Sequence, residues 1–140
     1  MHYANSAPAV SALVVDARGR VLLGRRAGDP YAGLWDTPGG FLEEGEDPVE
    51  GLRREFREEA SVELDVGEFV GMWVDRYGDD VDAPAFLALL WRATIASGEL
   101  EPADDVSALE WFAPDELPPD QEIAFHWIAP VLAAWRANEL

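Results

Sequence analysis

Hydrophobic and polar positions change rhythm several times along this chain, and each rhythm points to an element. Residues 9–16 (AVSALVVD) and 21–25 (VLLGR) are short, apolar and rich in β-branched side chains, with Ala17-Arg18-Gly19-Arg20 between them. Two such runs about a Gly-containing turn predict a hairpin. Residues 26–37 carry Gly28, Pro30 and Gly33 and predict a long loop running into Pro38-Gly39-Gly40. From Asp47 the period lengthens, and Val49, Leu52, Phe56 and Ala60 recur at helical spacing. Asp47 suits the N-cap, Pro48 the first helical position, and Glu50 completes an Asp-x-x-Glu capping box. Residues 67–77 and 85–96 predict two longer strands joined by the acidic connection 78–84, and residues 107–112 a short strand followed by a turn at 114–120. Across residues 121–137, Ile123, Trp127, Val131 and Trp135 recur every fourth position, predicting a closing amphipathic helix with Pro130 inside it as a source of a kink. The order predicts one α/β domain over residues 1–140, with a mixed sheet faced by helices.

Composition agrees with a folded domain. Of 140 residues 49% are hydrophobic, with six Trp, six Phe and three Tyr to fill a core, which excludes disorder for the body of the chain. The charge is unusual: 28 acids against ten bases, all Arg, leave −18. Such a field repels nucleic acid and anionic membrane surfaces, while a small anion can still enter a local basic or cation-filled cleft. There is no cysteine, so no disulfide, thiolate metal site or cysteine nucleophile, and two histidines, His2 and His126, are too few for a His-rich zinc site. No apolar run approaches the ~20 residues of a membrane span, and the cytoplasm is the expected compartment.

The chemistry concentrates in residues 39–62, GGFLEEGEDPVEGLRREFREEASV. At 100° per residue, Glu55, Glu58 and Glu59 fall on one helical sector beside the apolar stripe. Their mutual repulsion is relieved by a divalent cation, and hard Mg²⁺ takes carboxylate oxygens while keeping waters for a phosphate substrate. Arg54 is spaced to pair with Glu58 or Glu50, Glu46 to orient the loop through Arg54, and Gly51 to leave room for the Gly39-Gly40 loop. Arg25 and Arg26 end a strand just before that loop; Arg26 is a candidate guanidinium fork for substrate phosphate. Tyr31, Trp35 and Trp73 serve either to stack a base or to fill the core.

An Arg-Arg-Glu helix alone is an ordinary solvated face, but its setting is not ordinary. Gly40, Glu46 and the run Arg54-Glu55-Phe56-Arg57-Glu58-Glu59 fit the box G-x5-E-x7-R-E-U-x-E-E-x-G-U, where U is a bulky apolar residue. Six fixed positions arise by chance on the order of 10⁻⁸ to 10⁻⁷ per starting point. The chain resembles the Nudix hydrolase family, with the box at residues 40–62. VLLGRRAGDPYAGLWDTPGG before the box and ALEWFAPDELP after it also resemble the family plan; Ser61 stands where the family has Gly.

The resemblance implies an α/β/α sandwich that hydrolyses the diphosphate linkage of a nucleoside diphosphate joined to another group, with Mg²⁺ as cofactor and Mn²⁺ as a substitute. It implies Glu55, Glu58, Glu59, the Gly39 carbonyl and Glu110 as metal contacts, and Glu55 and Glu58 as catalytic carboxylates. Glu55 is the first candidate general base; a later loop offers Asp79, Asp80 and Asp82 in the same role. Gln121 resembles a position at which some relatives read a purine edge. The implied partner is a small nucleotide, with nucleoside triphosphates, ADP-ribose-like compounds and dinucleoside polyphosphates all open, and a homodimer is allowed. The competing class is a non-catalytic sensor of the same fold, against which the full set of box glutamates stands.

Overall fold

The computed structural model describes residues 5–140, so His2 lies outside the described residues. Strands β1 (Ala7–Val14), β2 (Val21–Arg26), β3 (Trp35–Asp36) and β4 (Gly39–Phe41) precede helix α1 (Pro48–Ala60); β5 (Val62–Arg76), β6 (Ala85–Gly98), β7 (Val106–Phe112), a 3₁₀ turn at Asp120–Glu122 and helix α2 (Ile128–Arg136) follow.

Two sheets form the middle layer. One is mixed, in the order β4-β1-β6-β5, with β1 and β6 parallel; the other is antiparallel, in the order β3-β2-β7. The expected β1–β2 hairpin is therefore corrected. Beyond a single bridge, Val15 to Val21, the two strands part into different sheets. The turn between them is tightened by Asp16, whose carboxylate accepts from the backbone N–H groups of Arg18 and Arg20 and from the Arg20 guanidinium.

Strand alternation explains the layering. Val10, Ala12 and Val14 of β1 and Leu22 of β2 meet Leu52, Phe56 and Ala60 of α1 in one core. Leu13, Val21 and Leu23 face the other way and pack with Trp127, Ile128, Val131 and Leu132. Strands buried on both sides read as continuous apolar runs, as these do. The result is the expected α/β/α sandwich with a mixed sheet.

Local signals place α1 closely. The Asp47 carboxylate accepts from Glu50 N–H at 3.1 Å and Pro48 opens the helix. The capping box is half made, since the Glu50 side chain pairs with Arg53 at 2.6 Å. The helix ends at Ser61 in the left-handed conformation (φ 62°, ψ 28°), which glycine adopts without steric cost. Ser61→Gly is therefore expected to stabilise the chain by about 0.5–1 kcal/mol, read as a higher melting temperature; a lower one would show that the entropy glycine adds to the unfolded chain dominates.

The closing helix is shorter than its periodicity implied. Residues 120–127 form the 3₁₀ turn and an irregular crossing, and α2 starts at Ile128. Pro130 then falls in the first turn, where its missing N–H has no intrahelical duty, so it introduces no kink. Buried Asp75 on β5 holds the crossing by accepting from the backbone N–H groups of His126 (2.7 Å) and Trp127 (3.0 Å). Burial pushes the Asp75 carboxyl up, but these N–H groups and that of Arg76 outweigh it and leave it below its ordinary value.

Candidate active site

One cavity, about 300 Å³, opens where β1, β4, β6, α1 and the crossing before α2 converge. That is the lower end of the usual size for a small-molecule site. One end is acidic: Asp36, Glu55, Glu59 and Asp105 line it. The other end is aromatic, with Phe41, Tyr77, Phe86, Phe125 and Trp127.

The acidic end is built by close backbone approach. Gly39 holds φ 157°, and a Cβ there would overlap the Val10 carbonyl. A Cβ at Gly40 would overlap the Glu55 carboxylate, so this glycine is the space into which Glu55 fits. The glycine expected to admit that loop, Gly51, instead accommodates Leu42 and Glu46. Glu55 and Glu59, one turn apart on α1, are only 9% and 8% exposed. Burial, then the charges of Glu55, Asp36 and Asp105, lift the Glu59 carboxyl to about 9. Burial lifts Glu55 as well, against the pull of Arg54. Burial raises Asp36 to about 6 against its partner Arg26.

Arg54 organises the rim. Its Nε and Nη2 grip both oxygens of Glu46 at 2.6 and 2.9 Å, while Nη1 reaches Glu55 at 3.1 Å and Glu58 at 3.2 Å. The hydrogen bonds from Arg54 hold the Glu46 carboxyl down at about 2. The loop is thereby clamped to α1 through Glu46, and the alternative pairing of Arg54 with Glu50 is not used.

The structure brings some expected residues together and leaves others apart. Gly39, Glu55, Glu59 and Arg26 line the cavity. Arg26 is already engaged there: Nε donates to the Pro30 carbonyl (2.7 Å), Nη1 to Asp36 (3.1 Å) and Nη2 to the Tyr77 hydroxyl (3.1 Å), with the guanidinium over the Phe125 ring. Glu58 does not line the cavity; it lies exposed, held by Arg54. Glu110 does not reach it either. Its register opposite Leu23 directs it to the α2 side of the sheet, away from α1, where it is exposed. The acid that the β7 segment supplies is Asp105, just before the strand. Gln121 is exposed in the 3₁₀ turn and does not line the cavity; Phe125 and Trp127 do. Trp35 is buried in the core, and Trp73 packs against the same core with its ring stacked on Trp127.

Asp36, Asp105, Phe125 and Trp127 are thus site residues beyond those the sequence singled out. Asp36 had one readable signal, a lone carboxylate in the apolar run Leu34-Trp35 ahead of the glycines. Among the described residues no three acidic or imidazole side chains form a closed ligand cluster. The donor set fits a hard cation of the Mg²⁺ kind nonetheless, because such ions are held by one or two carboxylates and complete their shell with water and substrate phosphate. Burial raises both carboxyls, and the charge of Glu55 raises Glu59 further.

This architecture, a mixed sandwich with buried helix carboxylates against a glycine loop, has close counterparts. The family model for the NUDIX domain matches residues 5–134. A MutT-like protein of Streptomyces ambofaciens is 32% identical over 108 residues, covering 77% of this chain and 64% of the relative. The CTP pyrophosphohydrolase of Escherichia coli K12 is 33% identical over 108 residues, covering 76% of each. The crystal structure of a MutT NUDIX hydrolase from Burkholderia pseudomallei superposes with a TM-score of 0.79 at 28% identity, covering 91% of this chain and 96% of the other. The chain belongs to the Nudix family. It spans just under two thirds of the length of the MutT-like relative. Among the described residues no helix is long and apolar enough to cross a membrane.

Proposed function

We propose that this chain is a Mg²⁺-dependent pyrophosphohydrolase that cleaves the diphosphate linkage of a small nucleotide. The observation that carries this reading is the buried Glu55–Glu59 pair, packed against Gly40 at the acidic end of a cavity whose other end is aromatic. Glu55, Glu59 and the Gly39 carbonyl would hold the cation, with Asp105 and Asp36 close enough to raise Glu59 and to add to the local field. When bound, Mg²⁺ neutralises substrate phosphates and makes a bound water more acidic.

The chain's own groups do the rest. Hydrolysis needs water to attack one phosphorus, its proton to pass to a base, and the bridging oxygen to leave with the second phosphate. Glu55 is the proposed base. Burial raises its carboxyl from the ordinary value against the pull of Arg54, which donates to it at 3.1 Å and fixes its orientation. Arg26 holds Asp36 and braces the aromatic wall. The relative named CTP pyrophosphohydrolase supports a nucleotide as the substrate.

The test is incubation of the purified chain with Mg²⁺ and a panel of nucleoside triphosphates, ADP-ribose and dinucleoside polyphosphates, reading phosphate or pyrophosphate release. Turnover of at least one compound, abolished by EDTA, is expected. Nucleotide binding without product from any member would overturn the enzyme in favour of a sensor.

A further inference from the structure

Two hydroxyls in the cavity have nothing to bond. Ser11 on β1 is 7% exposed and Thr37, between β3 and β4, is 5% exposed; both line the cavity, and neither hydroxyl has a hydrogen-bond partner. Buried polar groups are paired in the great majority of cases, so each unpaired one calls for a reason. Packing alone supplies none here. Ser11 lies opposite Gly39 on β4 and Leu90 on β6, and Ala9, Phe86 and Ala88 share the same wall, so no neighbouring side chain on the sheet could satisfy it. An alanine would fill the space without a stranded hydroxyl.

The aromatic end of the same cavity is preformed. The Tyr77 and Phe125 rings stack at 5.7 Å, and Phe86 meets Phe125 edge-on at 5.2 Å. Phe125 holds φ 62°, a conformation that bulky residues rarely adopt, directly before the two N–H groups that Asp75 anchors. Flat apolar walls suit an aromatic ring, and hydroxyls, which both donate and accept, suit its polar edge.

Building on the pyrophosphohydrolase reading above, we propose that Ser11 and Thr37 are specificity residues whose hydroxyls hydrogen-bond the edge of a nucleobase seated in the aromatic end of the cavity. A site built to hydrogen-bond its ligand discriminates strongly, because the wrong ligand leaves buried polar groups unpaired.

The experiment compares the wild type with Ser11→Ala, Thr37→Val and the double variant. It reads kcat/KM for nucleoside triphosphates of the different bases, metal-free binding of AMP, GMP, CMP and UMP by calorimetry, and thermal unfolding. For the preferred base, each substitution should lower kcat/KM on the order of tenfold, chiefly through KM, and the ratio between bases should fall toward one in the double variant. The melting temperature should hold or rise, since an unsatisfied buried hydroxyl has been removed. An unchanged ratio between bases would overturn the proposal, as would a wild type that cleaves an alkyl diphosphate as well as any nucleotide. A lower melting temperature with the ratio intact would assign the hydroxyls a structural role and overturn it equally. Base-selective monophosphate binding that is lost in the variants, without hydrolysis of any compound, would sustain this inference and defeat the pyrophosphohydrolase reading alone.

Discussion

Glu59→Gln and Glu55→Gln are each expected to lower turnover by about a hundredfold or more on any substrate the wild type cleaves, with the fold retained. Both side chains are buried at the acidic end of the cavity, and each removes one charge from the proposed cation site, where the lost transition-state stabilisation is worth roughly several kcal/mol. Glu58→Gln provides the contrast. Glu58 is exposed and bonded to Arg54, so its loss should cost about tenfold or less. Steady-state rates with a verified substrate decide the matter. A loss at Glu58 equal to that at Glu59 would return Glu58 to the centre of the site.

Thermal stability in EDTA should fall as pH rises, over a window unusual for a carboxylate. In the folded chain burial and neighbouring acids hold the Glu59 carboxyl at about 9, against an ordinary value of 4.5 in the unfolded chain. The unfolded state therefore releases this proton first. The stability tied to it is full below pH 4.5 and is lost as pH climbs through about 9. Asp36, raised to about 6, adds a smaller loss in the same direction. The Asp75 carboxyl, held below its ordinary value, acts oppositely and weakens the fold only in acid. Saturating Mg²⁺ should flatten the alkaline decline, because a cation bound to the native cluster neutralises it and stabilises the folded state by mass action. In Glu59→Gln in EDTA the alkaline decline should largely disappear, leaving the loss tied to Asp36, which is complete by about pH 6. A full decline in that variant would assign the effect to the overall charge of −18.

The sequence revealed most where the determinants are local. Asp47 and Pro48 mark the start of α1 through the hydrogen bonding of its first turn, and the position of Ser61 marks its end. The carboxylate spacing on α1 is helical arithmetic, which is why Glu55 and Glu59 were legible together. Arithmetic alone could not separate them from Glu58, because only the approach of Gly40 shows which side of the sector is buried. The pairing of β1 and β2 with different sheets was hidden as well: a Gly-containing turn between two apolar strands is consistent with a hairpin, and each strand has one partner, β6 for β1 and β7 for β2, more than sixty residues away in sequence. Glu110 and Asp105 differ by five positions, and strand register, a long-range property, decides between them. Gln121 was singled out by resemblance at the opening of the expected closing helix, but the backbone turns out of line at Phe125 and brings Phe125 and Trp127 to the cavity in its place.

Direct titration of Mn²⁺, followed by the loss of its free-ion electron paramagnetic resonance signal, measures cation binding without any assumption about substrate. The wild type is expected to take up the ion, and Glu55→Gln/Glu59→Gln to lose that uptake while Glu58→Gln retains most of it. Equal Mn²⁺ affinity in the wild type and the double variant would show that the buried pair holds no cation.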